Sequence, residues 1–310
     1  PQVLPYQNFQ IDPSASVLHY GQALFEGMKA FKQKNGDIVL FRPQFNYARM
    51  KFGAERLCME MPSEEIFLSG VKALVKADAD WIPQTKGSSL YLRPTLIGTE
   101  AFLGVRPSDN YRFFVLASPV SSYYKEGIGP IKIWVEENYV RAAPGGLGAT
   151  KAAANYAGSL KAAYEAKKKG YSQVLWLDVT HQYVEEVGTM NVLFIINGEA
   201  HTPSLEGTIL DGGVRNSIVQ LLKDSGIPVH ERRIKWSELT DAYSKGILTE
   251  AFGTGTAAVV SPIGELCRGE KTFNLGSSPS AFQVARMLYD KITSLQYGEG
   301  ADIHNWLVKV

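Results

Sequence analysis

The stretch Gly145-Gly-Leu-Gly-Ala-Thr-Lys151-Ala-Ala-Ala-Asn-Tyr156 sets one lysine among small residues just before a helical pattern. Small side chains let a bulky group approach, and no acidic residue stands at helical spacing before the lysine. Such a lysine is suited to hold an aldehyde as a Schiff base, because apolar or cationic surroundings lower its pKa and supply the neutral amine that attacks a carbonyl. The competing reading is a solvated lysine at a helix start. Two further stretches weigh against it. Glu185-Glu186-Val-Gly-Thr-Met-Asn191 puts a carboxylate near the tip of a strand pattern, and Leu210-Asp-Gly-Gly-Val-Arg-Asn-Ser217 runs glycines into a helix start.

A buried carboxylate keeps a pyridine nitrogen protonated, and backbone N–H groups at a helix N-terminus hold a phosphate. Amine, carboxylate and phosphate cradle are the three anchors that pyridoxal phosphate needs. The elements that must position them follow from pattern. Val17 to Lys32 reads as a strand, and Asn35-Gly36 turns it into a second strand over Asp37 to Phe41. Pro43 to Arg56 reads as a helix that carries Arg49, either a solvated helix charge or an arm reaching into a site. Ser63 with Glu64 and Glu65 starts another helix, which Trp81-Ile-Pro83 stops. In the strand Ser89 to Pro94, Tyr91 and Arg93 alternate with Leu90 and Leu92, so both face one side.

Further strands are read at Tyr111 to Leu116, Ile131 to Val135, Gln173 to Leu177, Val184 to Ile196 and Leu248 to Val260, the last interrupted by Phe252-Gly-Thr-Gly-Thr-Ala257. Helices are read at Lys151 to Lys168, from Gly212-Gly213 through Leu222, at Trp236 to Tyr243 and at Ser280 to Leu295. The prolines and glycines of Ala117 to Pro130 suggest a linker. The expected organisation is therefore an α/β (α+β) chain with a domain at 1–117, an interdomain loop at 118–130 and a second domain at 131–310.

The chain of 310 residues is long enough for two cores, and 32 Lys and Arg against 31 Asp and Glu leave a net charge of +1. That balance favours neither nucleic acid nor an anionic membrane, and no apolar run approaches the roughly 20 residues of a membrane helix. Cys58 and Cys267 lie far apart and in no metal-ligand spacing. They point to a reducing, cytoplasmic compartment, to buried free thiols and to no metal. The numbering opens at Pro1 without a methionine, which leaves a leading targeting segment open.

Leu18-His-Tyr-Gly-Gln-Ala-Leu-Phe-Glu-Gly-Met-Lys-Ala-Phe31, Leu90-Tyr-Leu-Arg-Pro94, Asn155-Tyr156, Glu186-Val-Gly-Thr-Met-Asn191 and Phe252-Gly-Thr-Gly-Thr-Ala257 together resemble the branched-chain amino acid aminotransferases of the fold-type-IV pyridoxal phosphate enzymes. The resemblance covers nearly the whole chain. It implies a smaller N-terminal α/β domain, a larger C-terminal domain of barrel-like sheet, and a homodimer with the cofactor between the domains. By this resemblance Lys151 carries the Schiff base, Glu186 pairs with the pyridine nitrogen and Tyr156 bonds the phenolic oxygen. Arg49, Gly213, Val214 and Thr256 form the phosphate cradle, with Thr189 beside the cofactor. Tyr20, Phe25, Tyr91, Arg93, Tyr123, Thr189 and Ala257 line the substrate pocket, and Tyr20 and the Leu103-Gly-Val105 loop come from the neighbouring subunit. Some members carry a Cys-x-x-Cys pair after the Gly-Thr-Ala loop. Ala258 and Ser261 stand there in this chain, so a thiol switch at that place is absent.

The implied activity is transfer of an amino group between leucine, isoleucine or valine and 2-oxoglutarate, with glutamate and the branched 2-oxo acids as the other partners. A D-amino acid aminotransferase or an aminodeoxychorismate lyase on the same fold is the nearest rival, since fold does not determine chemistry. The stretch from Leu18 to Phe31 argues against both. A non-catalytic binder of phosphorylated ligands is the rival from another class, and it leaves Lys151 without a task.

Overall fold

The structure is a computed structural model that describes residues 2–121 and 129–310. Two compact units form. One comprises Pro1–Ser122 with Thr150–Ala154 and Thr293–Val310, the other Tyr123–Ala149 with Asn155–Ile292. These differ from the expected boundaries in three respects. Thr150–Ala154, expected in the second domain, belongs to the first unit. Strand Tyr111–Val120 runs through Ser118, Pro119 and Val120 of the expected loop 118–130, because it pairs in register with Ser89–Gly98 to its last residue. The C-terminus also returns to the first unit: Leu307–Lys309 pairs antiparallel with Ile38–Phe41, and Trp306 packs edge-on against Phe41. Tyr123 and the rest of 122–128 lie outside the described residues.

In the first unit, six strands of the described residues form one sheet. The expected strand from Val17 to Lys32 is three elements: helix Ser16–Tyr20, strand Ala23–Phe25 and strand Met28–Lys32. Gly21 ends the helix at φ 61°, where a residue with a Cβ is strained. The two strands then pair in succession along the long strand Ser89–Gly98 and break at Glu26-Gly27 between them. A Cβ at Gly27 would stand 2.4 Å from the Tyr91 hydroxyl, so a larger residue at this break would displace the Tyr91 ring. The Asn35-Gly36 hairpin forms as its sequence requires, with Gly36 at φ 89° and the Asn35 side chain accepting from the Asp37 N–H at 3.0 Å. Helix Pro43–Arg56 has the expected bounds, and Ser63 caps helix Glu64–Ala77 by accepting from the Ile66 N–H.

In the second unit, six strands close on themselves, because Val184–Val187 pairs with both Gln173–Leu177 and Met190–Ile196. The ring continues from Met190–Ile196 through Leu248–Gly255, Val259–Arg268 and Ile131–Val135 back to Gln173–Leu177, which makes the barrel-like sheet of the α/β fold class. Closure leaves these strands without open edges. Their core unites Val135, Leu177, Val192, Phe194 and Ile263 with Trp236 and Leu239 of helix Trp236–Ser244. The expected single strand from Val184 to Ile196 is a hairpin, since Gly188 at φ 57° turns the chain and sets Asn191 opposite Glu186. The expected strand from Leu248 to Val260 likewise folds back after Gly255.

Cys267 is a buried free thiol, as expected, whereas Cys58 is exposed. The end of helix Pro43–Arg56 and a left-handed turn at φ 52° carry Cys58 out to the surface. Among the described residues, no helix is long and apolar enough to cross a membrane.

Candidate active site

Lys151 belongs to the first unit and lies two residues before helix Ala153–Lys168, outside the helix expected to contain it. Its carbonyl accepts from the Phe25 N–H at 3.2 Å, and Ala152 bridges Leu24, so the backbone here is tied to strand Ala23–Phe25. The amine sits 4.8 Å from the centre of the Phe25 ring, and the Arg93 guanidinium lies 4.6 Å from the same centre. Two cations therefore share one aromatic ring. Arg93 also donates to the Tyr91 hydroxyl, at 2.7 Å through Nη2 and 3.2 Å through Nε.

Glu26 follows Phe25 in the strand break and is fully buried. Its carboxylate takes both arms of Arg49, Nε at 2.7 Å and Nη2 at 2.8 Å, and the Asn46 amide at 2.7 Å. Burial pushes this carboxyl up, but Arg49, Lys151 and Asn46 outweigh it and hold the group below the usual range. Arg49 is thus a buried ion-pair partner and not a solvated helix charge.

Lys29 pairs in register with Tyr91 and shares its face. It is buried, and burial lowers its pKa to about 8. The unfolded chain keeps this lysine charged up to pH 10.5, so a burial penalty is present below about pH 8 and is relieved between pH 8 and 10.5. Replacing Lys29 with methionine should therefore favour the folded state more at pH 7 than at pH 10. Thermal unfolding of both proteins at pH 7 and pH 10 checks this. A Tm gain that does not shrink at the higher pH contradicts it.

In the second unit Glu186 is buried in strand Val184–Val187. Its Oε1 accepts from the Leu210 N–H at 2.9 Å and from the Asn191 amide at 3.4 Å, while Oε2 faces Arg141 Nε at 3.2 Å. The Nε contact is a pairing of charges off the N–H axis. Arg141 is itself anchored by Nη2, which donates to the Thr208 carbonyl and, at 3.1 Å, to the Gly148 carbonyl. A Cβ at Gly148 would stand 2.3 Å from the Thr208 oxygen. That glycine is small because a neighbouring backbone crosses it, whereas a Cβ at Gly145 would meet nothing within 4 Å.

Glu186 lines a narrow recess with Arg141, Asn155, Tyr156, Thr189 and Leu210, which brings together three of the expected site residues. Gly213 and Val214 open helix Gly213–Asp224, whose N-cap Gly212 makes no side-chain cap bond. A Cβ at Gly212 would meet Asn191 Oδ1 at 1.9 Å, so the helix start is pressed against the residue that holds Glu186. Thr256 and Ala257 occupy the turn after strand Leu248–Gly255. In the first unit, Tyr20, Leu103 and Val105 are exposed, and the Tyr20 hydroxyl donates to the Leu103 carbonyl.

Glu26, Lys29, Arg141 and Asn191 are the residues that the sequence reading left without roles. Glu26, Lys29 and Asn191 stood inside quoted stretches, whereas Arg141 has no local signal. Of its partners, Gly148 lies seven residues on, and Glu186 and Thr208 come from distant segments. The donor set fits pyridoxal phosphate: an amine at an aromatic face, a buried carboxylate beside an arginine, and a helix N-terminus with no side-chain cap bond.

Residues 23–266 match the family Amino-transferase class IV. Branched-chain-amino-acid aminotransferase 2 of Bacillus subtilis (strain 168) is 50% identical over 311 residues, which take in 100% of this chain and 85% of that protein. Branched-chain-amino-acid transaminase 1 of the same organism is 48% identical over 312 residues, covering 100% and 87%. The crystal structure of Escherichia coli branched-chain amino acid aminotransferase is similar with a TM-score of 0.80 at 26% identity, over 96% of this chain and 93% of that one. Because the family match runs from the strand that carries Phe25 through Lys151 and Glu186 to Leu266, it takes in the residues of both clusters, and this chain belongs to the class IV aminotransferases.

Proposed function

We propose that this chain exchanges an amino group between leucine, isoleucine or valine and 2-oxoglutarate, with pyridoxal phosphate as cofactor. The observation that carries the reading is Lys151, tied through its backbone to strand Ala23–Phe25 with its amine at the Phe25 ring. The relatives that are 50% and 48% identical over the whole chain support the choice of substrate.

When bound, the cofactor supplies an aldehyde that links to an amine and a protonated ring that takes up the electron pair released at the substrate Cα. Lys151 holds the aldehyde at rest. Displaced by the substrate amine, its Nζ takes the proton from Cα and later delivers it, so one group serves as base and acid. Glu186 would keep the ring nitrogen protonated, and Arg141, Asn191 and the Leu210 N–H hold that carboxylate in position. Tyr156 holds the phenolic oxygen. Arg49, Gly213, Val214 and Thr256 bind the phosphate, with Glu26 fixing the angle of the Arg49 fork.

Phe25, Tyr91, Thr189, Ala257 and Tyr123 line the substrate side. In the proposed cytoplasmic, biosynthetic homodimer, Tyr20 and the 103–105 loop serve the neighbouring subunit. A visible absorbance band from the bound cofactor should bleach with L-leucine and not with D-alanine. Bleaching by D-alanine, or no band, overturns the reading.

Arg93 explains how one pocket takes both an isobutyl group and a carboxylate. It already rests on Phe25 and Tyr91, so with leucine bound it keeps these partners, and with glutamate bound it swings to the side-chain carboxylate. Arg93→Ala should therefore weaken the glutamate half-reaction by about 2–5 kcal/mol more than the leucine half-reaction. Equal losses in kcat/KM for both would show that Arg93 binds the common α-carboxylate or is structural.

A further inference from the structure

Adjacent residues of a strand face opposite sides, so Glu185 points away from the Glu186 recess. On its side lies a pocket of about 250 Å³ in the second unit, lined by Asp178, Tyr183, Glu185, Ser204, Glu206 and Arg233. Glu185 is 5% exposed, and its Oε2 has no hydrogen-bond partner. The Thr208 hydroxyl reaches this carboxyl, while burial raises its pKa despite Thr208 and Arg141. The other acids of the pocket are occupied. Asp178 accepts from Thr180, Gln182 and Tyr183 and pairs with Arg233 at 3.2 Å, and Glu206 accepts from Ser204 at 2.6 Å.

A carboxylate left with a bare oxygen in a buried wall is an unfavourable arrangement unless a proton or a cation completes it. The charge around this pocket favours a cation, since Asp178, Glu185 and Glu206 outnumber Arg233. One bare oxygen is too few for a hard divalent ion, which needs about six oxygen ligands. An ammonium group, with three N–H donors, suits a single carboxylate. Val179 and Ile209 supply apolar wall for a short aliphatic chain.

We infer that the Glu185 pocket is a binding site for a small primary alkylammonium, its nitrogen on Glu185 and its chain on the apolar wall. This site is distinct from the Glu186 recess. The two adjoin at Glu185-Glu186 and at the segment Thr208 to Leu210, whose Thr208 and Ile209 line the pocket and whose Leu210 N–H is bonded to Glu186.

Isobutylamine tests the site by calorimetric titration into protein loaded with pyridoxamine phosphate, which has no aldehyde to react with the amine. The expected result is saturable binding to the wild type that weakens at least tenfold in Glu185→Gln. Isobutanol, the neutral analogue, should give no saturable heat on the wild type, and this arm holds even where the variant folds poorly. No saturable heat from the amine at about 50 mM, near the weak end of measurable affinity, overturns the proposal. Equal affinity for wild type and Glu185→Gln, equal binding of isobutanol, or displacement of the amine by Mg²⁺ overturns it as well. None of these outcomes bears on transamination, which rests on Lys151 and Glu186.

Discussion

Lys151→Ala should abolish transamination, with kcat/KM for leucine falling at least about ten-thousand-fold, since proton transfer by a positioned base alone contributes up to that factor. The variant loses the group that holds the aldehyde and the group that carries the Cα proton in one step. No neighbour can replace it. Arg93 is engaged with the Tyr91 hydroxyl through two N–H donors. Glu26 is closed in by Arg49 and Asn46. The fold should survive, because the ties that position Lys151 run through its carbonyl and through Ala152. Circular dichroism and Tm check the fold, and single-turnover measurements with leucine check the chemistry. Appreciable turnover without an added amine would show that another group is the base.

The second large effect concerns two consecutive glutamates. Glu186→Gln should lower the rate about a hundredfold or more, the scale seen when a preorganised charge is removed from where electrons accumulate. A glutamine there can still accept from the Leu210 N–H, but it offers no negative charge to the ring nitrogen and faces Arg141 without compensation. Glu185→Gln should change the rate several-fold at most, because Glu185 faces the opposite pocket. Half-reactions of both variants with leucine, read alongside the cofactor absorbance, separate the two. Equal losses would mean that the strand's facing has been misassigned, or that the pair acts as one electrostatic unit.

Much of the scaffold was legible because its signals are local. Asn35-Gly36 suits a hairpin by its tolerance of φ > 0, Ser63 ahead of Glu64 and Glu65 makes a cap, and the spacing of Pro43 to Arg56 makes one helix. The misread elements fail for a reason that is also local. Apolar residues recur on both sides of each break in Val17 to Lys32 and Val184 to Ile196, so periodicity alone does not reveal the breaks. The breaks lie at Gly21, Gly27 and Gly188, whose reasons are a left-handed cap, a tyrosine hydroxyl across the sheet and a tight turn. The return of Leu307–Lys309 to the first sheet is a pairing between residues far apart in the chain, and no local pattern encodes it.

By itself, the sequence determined which groups are available for chemistry. Lys151 among small residues, Glu186 at a strand tip and glycines at a helix start are identities and spacings, and these are written directly in the chain. Tertiary structure alone decided what state those groups are in. Burial and charge are sums over neighbours drawn from distant segments. Arg49 is locked by Glu26, Glu186 is held by Arg141, Asn191 and the Leu210 N–H, and Arg93 rests on Tyr91. Of the two neighbouring glutamates, one is saturated with partners and the other is left with a bare oxygen in a pocket. Both carry the same charge in the sequence, and only folding, by setting the strand's two faces in different surroundings, makes them different groups.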